Sequence, residues 1–331
     1  MDSLPNLLLL LVLAVSFLAA FAVTLYSIPK VARKLKDAGI VGKDINKKDT
    51  PCLPEMVGIT VVMGLVCGLL SLIVLLTIFD ISFPASLLFA GLCVILIIAL
   101  IGIYDDLFDM AQVTKALLPL AASVPLVAAT ISSSRTILIP LIGPIDFGIF
   151  YPLLLVPIGI TVASNLTNML AGFNGLEAGM GITVFAFASL IAYLKGTYII
   201  LFFTVPMLGA LIAFLIFNKY PAKVFMGDIG TLSIGATLAV AVIVGGFQSL
   251  GALLVILYVF DFFIKAYNGF PSSKWWGELR GGKLYPVEGK VRGLCQLVMK
   301  LAGGISEQRL VLTLVLLEVL VGLAAFMLFV K

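Results

Sequence analysis

Four polar clusters, far apart along the chain, contain the residues best suited to chemistry. Asp105 and Asp106 are adjacent carboxylates, and such a pair repels unless a cation or water offsets the charge. Asp228 is flanked by glycines just before a predicted helix, whose N-terminus would favour an anion. The clusters cover residues 42–59, 101–110, 165–181 and 218–235.

The third cluster is rich in amides and glycines, with Asn165, Asn168 and Asn174 on one short segment. Taken singly, each cluster has an ordinary explanation: a solvated helix end for the paired aspartates, an N-cap for Asp228, and a plain turn for the Asn/Gly segment. Taken together, they place carboxylate and amide oxygens beside a basic loop. That combination favours an anionic substrate held through Mg²⁺, which binds such oxygens and shares phosphate oxygens.

Composition sets the solvent in which these clusters must be positioned. Of 331 residues, 62% are hydrophobic and 11% are charged, and the mean hydropathy is +1.21. This is too little polar surface for a globule in water, so the sequence predicts an all-α integral membrane protein. The chain has no histidine, which excludes histidine bases and histidine metal ligands. Its four cysteines show no CxxC spacing and are interpreted as small hydrophobic residues.

About ten segments are apolar enough to span a bilayer, which takes about 20 residues each. The first lacks a basic start and a cleavage site, so it is predicted to span and not to be a signal peptide. The predicted spans are 6–28, 57–78, 84–104, 112–131, 150–166, 178–194, 197–217, 230–246, 249–267 and 308–330.

The basic residues predict the orientation of these spans. With ten helices, eighteen of the 21 lysines and arginines fall on one side, and only Arg135, Lys195 and Lys331 fall opposite. The positive-inside rule makes the basic side cytoplasmic and puts both termini outside. In the outer connection 132–149, two short apolar runs flank Gly143-Pro144 and favour a small β-hairpin.

The order and spacing of the four clusters resemble the polyprenyl-phosphate N-acetylhexosamine-1-phosphate transferases, a glycosyltransferase 4-like superfamily. The resemblance covers about residues 40–235. Asn-Gly-Leu-Glu at 174–177 is similar to the dolichyl-phosphate branch of archaea and eukaryotes, whereas the bacterial muramoyl-pentapeptide branch has Asp-Gly-Leu-Asp there. The first loop, with Gly42-Lys43-Asp44, Asn46-Lys47 and Pro54-Glu55, also looks like the dolichyl branch.

The resemblance implies a role for each matching residue. It implies catalytic roles for Asp105, Asp106 and Lys115, Mg²⁺ (or Mn²⁺) ligation by Asn168 and Asp228, stacking of Phe225 on uracil, and substrate binding by Asn46, Glu55, Asn174 and Glu177. Lys115 can also be explained as a snorkelling lysine and Phe225 as a lipid anchor. The family's last long loop carries a His/Arg-rich motif that is absent here, and Arg280 and Lys283 are its expected replacements.

The implied reaction transfers a sugar-1-phosphate from a UDP-N-acetylhexosamine, expected to be the N-acetylglucosamine form, to a polyprenyl or dolichyl phosphate, releasing UMP. We expect one membrane-embedded domain, 1–331, in an archaeal plasma membrane or a eukaryotic endoplasmic reticulum, with no nucleic-acid partner; a homodimer stays open. The cytoplasmic site is expected to be built from 42–59, 101–115, 165–181, 218–235 and 268–307. The main alternative is a transporter of an anionic solute, for which Asp261 and Glu318 are the intramembrane candidates; a scaffold subunit is a third.

Overall fold

The computed structural model describes residues 6–108, 110–131, 135–271 and 273–330, and most of them are helical. Lys331 and the first residues of the predicted outer hairpin, 132–134, lie outside the described residues. The helices are α1 Asn6–Asp37, α2 Ile59–Ile78, α3 Ala85–Phe108, α4 Gln112–Ala122, α5 Val124–Thr130, α6 Val156–Met169, α7 Leu176–Leu194, α8 Tyr198–Asn218, α9 Gly227–Val244, α10 Gln248–Leu254, α11 Ile256–Tyr267, α12 Leu294–Leu301 and α13 Glu307–Phe329.

The prediction of an all-α membrane protein with about ten spans is confirmed. Within the described ranges, nine helical segments are long and apolar enough to cross a bilayer. The pair α10 and α11, bent by 60° at their junction, passes the same criterion as a tenth, broken span. The side of the membrane on which each end lies stays a prediction.

Helix α1 is longer than predicted, because it continues from the apolar stretch through Pro29 to Asp37. At 1.5 Å per residue its 32 residues measure roughly 48 Å, well beyond a hydrocarbon core of about 30 Å. Lys34 and Lys36 lie in its last turn, where positive charge stabilises the exposed carbonyl end of a helix. The predicted end of the first span at residue 28 is therefore not the end of the helix, which continues for nine more residues.

Two predicted spans are interrupted near prolines. The fourth breaks at Ser123 into α4 and α5, with Pro119 inside the last turn of α4. A proline removes one backbone N–H and weakens the helix ladder at that point. The fifth begins with a short π-helical turn at Tyr151–Leu155 before α6.

Helix α9 is the centre of the bundle. Every residue from Ile229 to Ile243 is buried, and the helix packs against α3, α6 and α8. Small residues allow the close approach, as is usual between membrane helices. A Cβ at Gly102 of α3 would lie 2.5 Å from the Cα of Ile229, so α3 and α9 are nearly in backbone contact there.

Three antiparallel hairpins join the helices. The predicted outer hairpin is confirmed as β3 Thr136–Ile139 with β4 Gly143–Asp146, although Gly143-Pro144 begins β4 and does not form the turn. Two further hairpins were not predicted from the sequence. They are β1 Val41–Lys43 with β2 Cys52–Pro54, and β5 Gly277–Arg280 with β6 Lys283–Pro286.

Candidate active site

Lys115, in the first turn of α4, lies between two carboxylates from different helices. Its Nζ is 2.5 Å from Oδ2 of Asp105 on α3, and it also donates a hydrogen bond to Oδ2 of Asp228 on α9. The Asp228 side chain keeps about a quarter of its surface exposed. One ammonium group therefore neutralises two acidic groups that would otherwise repel each other.

Asn168, near the end of α6, completes this cluster. With its amide oriented to satisfy both neighbours, Nδ2 donates to Oδ1 of Asp228 at 3.1 Å and Oδ1 accepts from Lys115 Nζ at 3.0 Å. Four residues that are up to 123 positions apart thus meet at one end of the bundle. We call Asp105, Lys115, Asn168 and Asp228 the Lys115 cluster.

Asp106 has a different environment from its neighbour Asp105. Its two oxygens accept the backbone N–H groups of Asp228 at 2.8 Å and Ile229 at 3.1 Å. These are free donors in the first turn of α9, which begins at Gly227, so Asp106 acts as a cap from another helix. The expectation that Asp228 precedes the helix was wrong: it is in the first turn.

Gly227 makes this junction possible. Its φ is +71°, and a Cβ there would lie 2.8 Å from both Asp106 Oδ2 and the Cα of Met56. A side chain at this position would therefore push the first loop away from the start of α9. Asp228 is held at a fixed place relative to α3 as a result.

Glu55 and Phe225 lie side by side next to the cluster. The Phe225 amide donates to Pro54 O at 2.8 Å, and the Val57 amide donates to Phe225 O at 3.1 Å, so the two loops pair through their backbones. A Cβ at Gly42 would lie 2.7 Å from Glu55 Oε2 and 3.1 Å from Phe225 Cδ2, so a side chain there would displace the Glu55 carboxylate. Burial, followed by the negative charge of Asp228, raises the pKa of Glu55 above its ordinary value.

Asn174 is occupied entirely by contacts within the protein. Its amide N donates to Glu307 Oε1 at 2.8 Å, and its Nδ2 donates to Asp44 Oδ2 at 3.1 Å. Its Oδ1 accepts from the amide of Ala222 at 2.9 Å. The residue expected to bind substrate therefore ties four chain segments together.

The other expected binders on this side also hold loops. Asn46 donates to Gly172 O at 3.3 Å and accepts from the Gly277 amide at 3.0 Å. Glu177 accepts from the Gly172 amide at 2.6 Å. These contacts connect the first loop, the α6–α7 turn and the last long loop, so they position the site whichever atoms touch a ligand.

Arg280 and Lys283 lie at the exposed tip of the β5–β6 hairpin. Arg280 pairs with Glu278 at 2.7 Å and lies over the ring of Tyr285. The described contacts do not bring either side chain to the Lys115 cluster. Their proposed replacement of the missing His/Arg motif stays a prediction.

The sequence did not predict which partners the buried charges at this end of the bundle contact. Lys265 donates to the carbonyl of Met169, one residue after Asn168, and pairs with Asp261 at 2.8 Å. Asp261 also accepts from the Leu294 amide at 2.7 Å. The signal was a charge near the end of an apolar run, which costs free energy in a membrane unless it has a partner.

The donor set of the Lys115 cluster fits a hard cation. Among the described residues, no three His, Cys, Asp or Glu side chains come together as a metal site. Asp228 and Asn168 would therefore bind a metal only with oxygens from water or substrate, which is how Mg²⁺ is usually held. The carboxylates of Asp228 and Asp105 both pair with the ammonium of Lys115, so these side chains are suited to binding a positively charged group.

Comparison with known proteins identifies the family. Residues 88–246 match glycosyl transferase family 4. A Saccharolobus solfataricus protein, provisionally named as a UDP-N-acetylglucosamine–dolichyl-phosphate N-acetylglucosaminephosphotransferase, is 37% identical over 97% of this chain and 96% of its own. The Dictyostelium discoideum enzyme of that name is 28% identical over 90% of this chain and 84% of its own.

A bacterial relative carries a different name. The phospho-N-acetylmuramoyl-pentapeptide-transferase of Streptococcus thermophilus is 32% identical over 73% of this chain and 75% of its own. The similarity to the Saccharolobus protein spans nearly the full length of both chains. This chain belongs to glycosyl transferase family 4.

Proposed function

We propose that this protein transfers N-acetylglucosamine-1-phosphate from UDP-N-acetylglucosamine to dolichyl phosphate and releases UMP. The observation that carries the proposal is the Lys115 cluster, in which a lysine, two carboxylates and an amide meet at the polar end of an apolar bundle. The names of the relatives that match nearly the whole chain support the same substrates.

The reaction needs little covalent chemistry from the protein. An oxygen of the lipid phosphate attacks the phosphorus that bears the sugar, the bond from this phosphorus to the UMP oxygen breaks, and UMP leaves. A phosphomonoester has a second pKa of about 6, so the attacking group is mostly ionised near neutral pH. A strong base is unnecessary, and positioning with charge stabilisation carries the catalysis.

Lys115 is the residue best placed to stabilise charge on the transferred phosphoryl group. Its ammonium binds Asp105 and Asp228, so the same group can exchange a carboxylate oxygen for a phosphate oxygen. Asp105 then keeps Lys115 protonated and oriented. Asp106 holds Asp228 in place through the backbone of α9.

Asn168 and Asp228 would hold Mg²⁺, with Mn²⁺ as a substitute. The ion supplies positive charge that offsets the pyrophosphate and the leaving UMP. The ammonium of Lys115 contacts Asp228, so it would have to move away from this carboxylate for the metal ion to bind there. We therefore expect the metal and the nucleotide sugar to bind together.

The site lies where both substrates can reach it. The lipid phosphate stays at headgroup depth while its chain remains in the bilayer, and the nucleotide sugar comes from the cytosol. The excess of basic residues on one side supports a cytoplasmic site. In an archaeal cell this membrane is the plasma membrane.

Transport of an anionic solute has no support. Asp261 is engaged by Lys265 and by the start of α12. Glu318 is fully buried within the bundle, and neither of its carboxylate oxygens has a hydrogen-bond partner among the described residues.

Purified protein in detergent, given UDP-N-acetylglucosamine and dolichyl phosphate, tests the proposal. We expect UMP release that needs the lipid acceptor, stops with a chelator and returns with Mg²⁺. Asp228→Asn should lose activity, whereas Lys219→Met, at an exposed position, should keep it. UMP release without acceptor, trapping of a phosphorylated enzyme, or full activity of Asp228→Asn would each contradict a part of this mechanism.

The substrate choice is tested in the same assay. UDP-N-acetylgalactosamine and UDP-glucose replace the donor, and undecaprenyl phosphate replaces the acceptor. We expect the highest kcat/KM for UDP-N-acetylglucosamine with dolichyl phosphate. A higher value for another pair would keep the reaction and change the assigned substrates.

A further inference from the structure

We propose that Glu307 and Lys47 are positioning residues, which set the geometry of the nucleotide-binding side of the site from the C-terminal helix. The proposal rests on the proposed function for its kinetic test and on the geometry alone for its structural test. Glu307 and Lys47 do not belong to the Lys115 cluster, and the reaction uses neither directly.

Glu307, in the first turn of α13, is almost completely buried at 5% exposure. One of its oxygens accepts the amide of Asn174 at 2.8 Å, and the other accepts from Lys47 Nζ. Lys47 also pairs with Asp44 at 3.2 Å and lies over the ring of Tyr220. One lysine thus neutralises two buried carboxylates.

Asn174 closes the arrangement into a ring. Its side chain donates to Asp44 and accepts from the Ala222 amide, so each of its polar groups has a partner in the protein. We call Asp44, Lys47, Asn174 and Glu307 the clamp ring. It joins the first loop, the α6–α7 turn, the α8–α9 connection and the start of α13.

The clamp ring holds the loops that flank the Lys115 cluster. Ala222 is three residues before Phe225 and six before Asp228, while Asp44 belongs to the β1–β2 connection that leads to Glu55. Those two loops also pair with each other at Phe225 and Pro54. Helix α13 therefore adds no group to the Lys115 cluster but fixes how the two loops face each other.

The clamp ring is stable only when its buried charges are paired with each other. Without Lys47, the carboxylates of Asp44 and Glu307 would be buried side by side with no cation, which is strongly unfavourable. Without Glu307, the Asn174 amide loses its acceptor and Lys47 loses one partner. Either change would free the same two loops. Combining the two changes should therefore have no larger effect than one of them alone.

Kinetics separate positioning from a general loss of structure. We expect Lys47→Met and Glu307→Ala each to raise KM for UDP-N-acetylglucosamine about tenfold, with kcat within about twofold. This is the size of effect usual for replacing a residue that orients the groups of a binding site. Glu307→Gln keeps an acceptor for the Asn174 amide and should recover part of the loss. The double variant should match Glu307→Ala and not multiply the two effects.

Lys48→Met is the matched control, because Lys48 is the next residue and is exposed. It should leave KM and kcat unchanged. A fall in kcat with unchanged KM, multiplied effects in the double variant, or an equal effect of Lys48→Met would overturn the proposal. If Glu307→Ala does not fold, Lys47→Met and Lys47→Arg decide, with recovery expected only for arginine.

Hydrogen exchange tests the ring without substrate. In Lys47→Met and Glu307→Ala we expect faster exchange in peptides covering 171–178 and 219–226, which contain the amides of Asn174 and Ala222. Peptides from the centre of α9 should not change. Unchanged exchange in both loops would refute the clamp, even if UMP release is observed; absence of UMP release would refute the proposed function and leave the exchange result valid.

Discussion

Asp106 holds Asp228 by its backbone: Oδ1 of Asp106 accepts the amide N–H of Asp228 at 2.8 Å, while its second oxygen accepts the next amide along α9. Its neighbour Asp105 instead faces Lys115. The adjacent aspartates therefore have separate tasks, one positioning the start of α9 and the other orienting a lysine.

Asp106→Ala should destabilise the protein more than Asp105→Ala. It leaves two partly buried backbone N–H groups without an acceptor, at about 1–3 kcal/mol each, whereas Asp105→Ala leaves only one, that of Met110. Thermal unfolding in detergent measures this difference, and UMP release should fall in both variants. Equal unfolding midpoints for the two variants would contradict the capping role of Asp106.

Lys115→Met should lower kcat by about 10²–10³, the usual cost of losing one donor to a developing charge. It also leaves Asp105 and Asp228 facing each other without a cation. Added Mg²⁺ should therefore raise the unfolding midpoint of Lys115→Met more than that of the wild type. The comparison uses a thermal melt with and without Mg²⁺, and an equal shift in both proteins would count against a cation at this site.

Gly102→Ala should separate α3 from α9. The new Cβ would lie 2.5 Å from the Cα of Ile229, and overpacking of this kind costs about 1–3 kcal/mol. Because Asp105 and Asp106 follow on the same helix, activity should fall as well. Gly159→Ala is the control, since its nearest atom would be Ile243 Cδ1 at 3.9 Å, and it should change neither the melt nor UMP release.

Glu55→Gln should stabilise the metal-free protein near neutral pH. Burial and Asp228 raise the pKa of Glu55 above 4.5, so its protonated form favours the folded state. That contribution is complete below the unfolded pKa and is lost as pH rises through the folded pKa. The advantage of Glu55→Gln in thermal midpoint should therefore grow from pH 4 to pH 7, with a chelator present. A pH-independent difference would show that the charge of Glu55 is not responsible.

The sequence predicted the spans well because their apolar length is a strong signal. It predicted their ends less well, since α1 continues with polar residues to Asp37 and α9 begins three residues earlier than expected. The break between α10 and α11 at Val255 has no proline or glycine to announce it. Such a bend depends on packing, which a single sequence does not display.

The sequence predicted only in part which residues meet, since the described contacts do not bring Arg280 or Lys283 to the Lys115 cluster. Lys115, Asn168 and Asp228 do come together. The different environments of Asp105 and Asp106 depend on how α3 packs against α4 and α9, so the sequence does not show them. Glu307 was not predicted, because a glutamate at the first turn of a helix is ordinary. The folded structure shows that Glu307 accepts a hydrogen bond from the amide of Asn174, which lies 133 residues earlier in the chain.

The burial of α9 from Ile229 to Ile243 has a consequence for the order in which the chain is synthesised. A helix with no surface for lipid is free to contain Thr231, Ser233 and Thr237, and it gains little from the bilayer itself. Its stable place comes from α3, α6 and α8, all of which precede it in synthesis. The three helices that surround α9 are thus synthesised before α9 itself. Asp228 lies in the first turn of α9, at one end of the space between these helices.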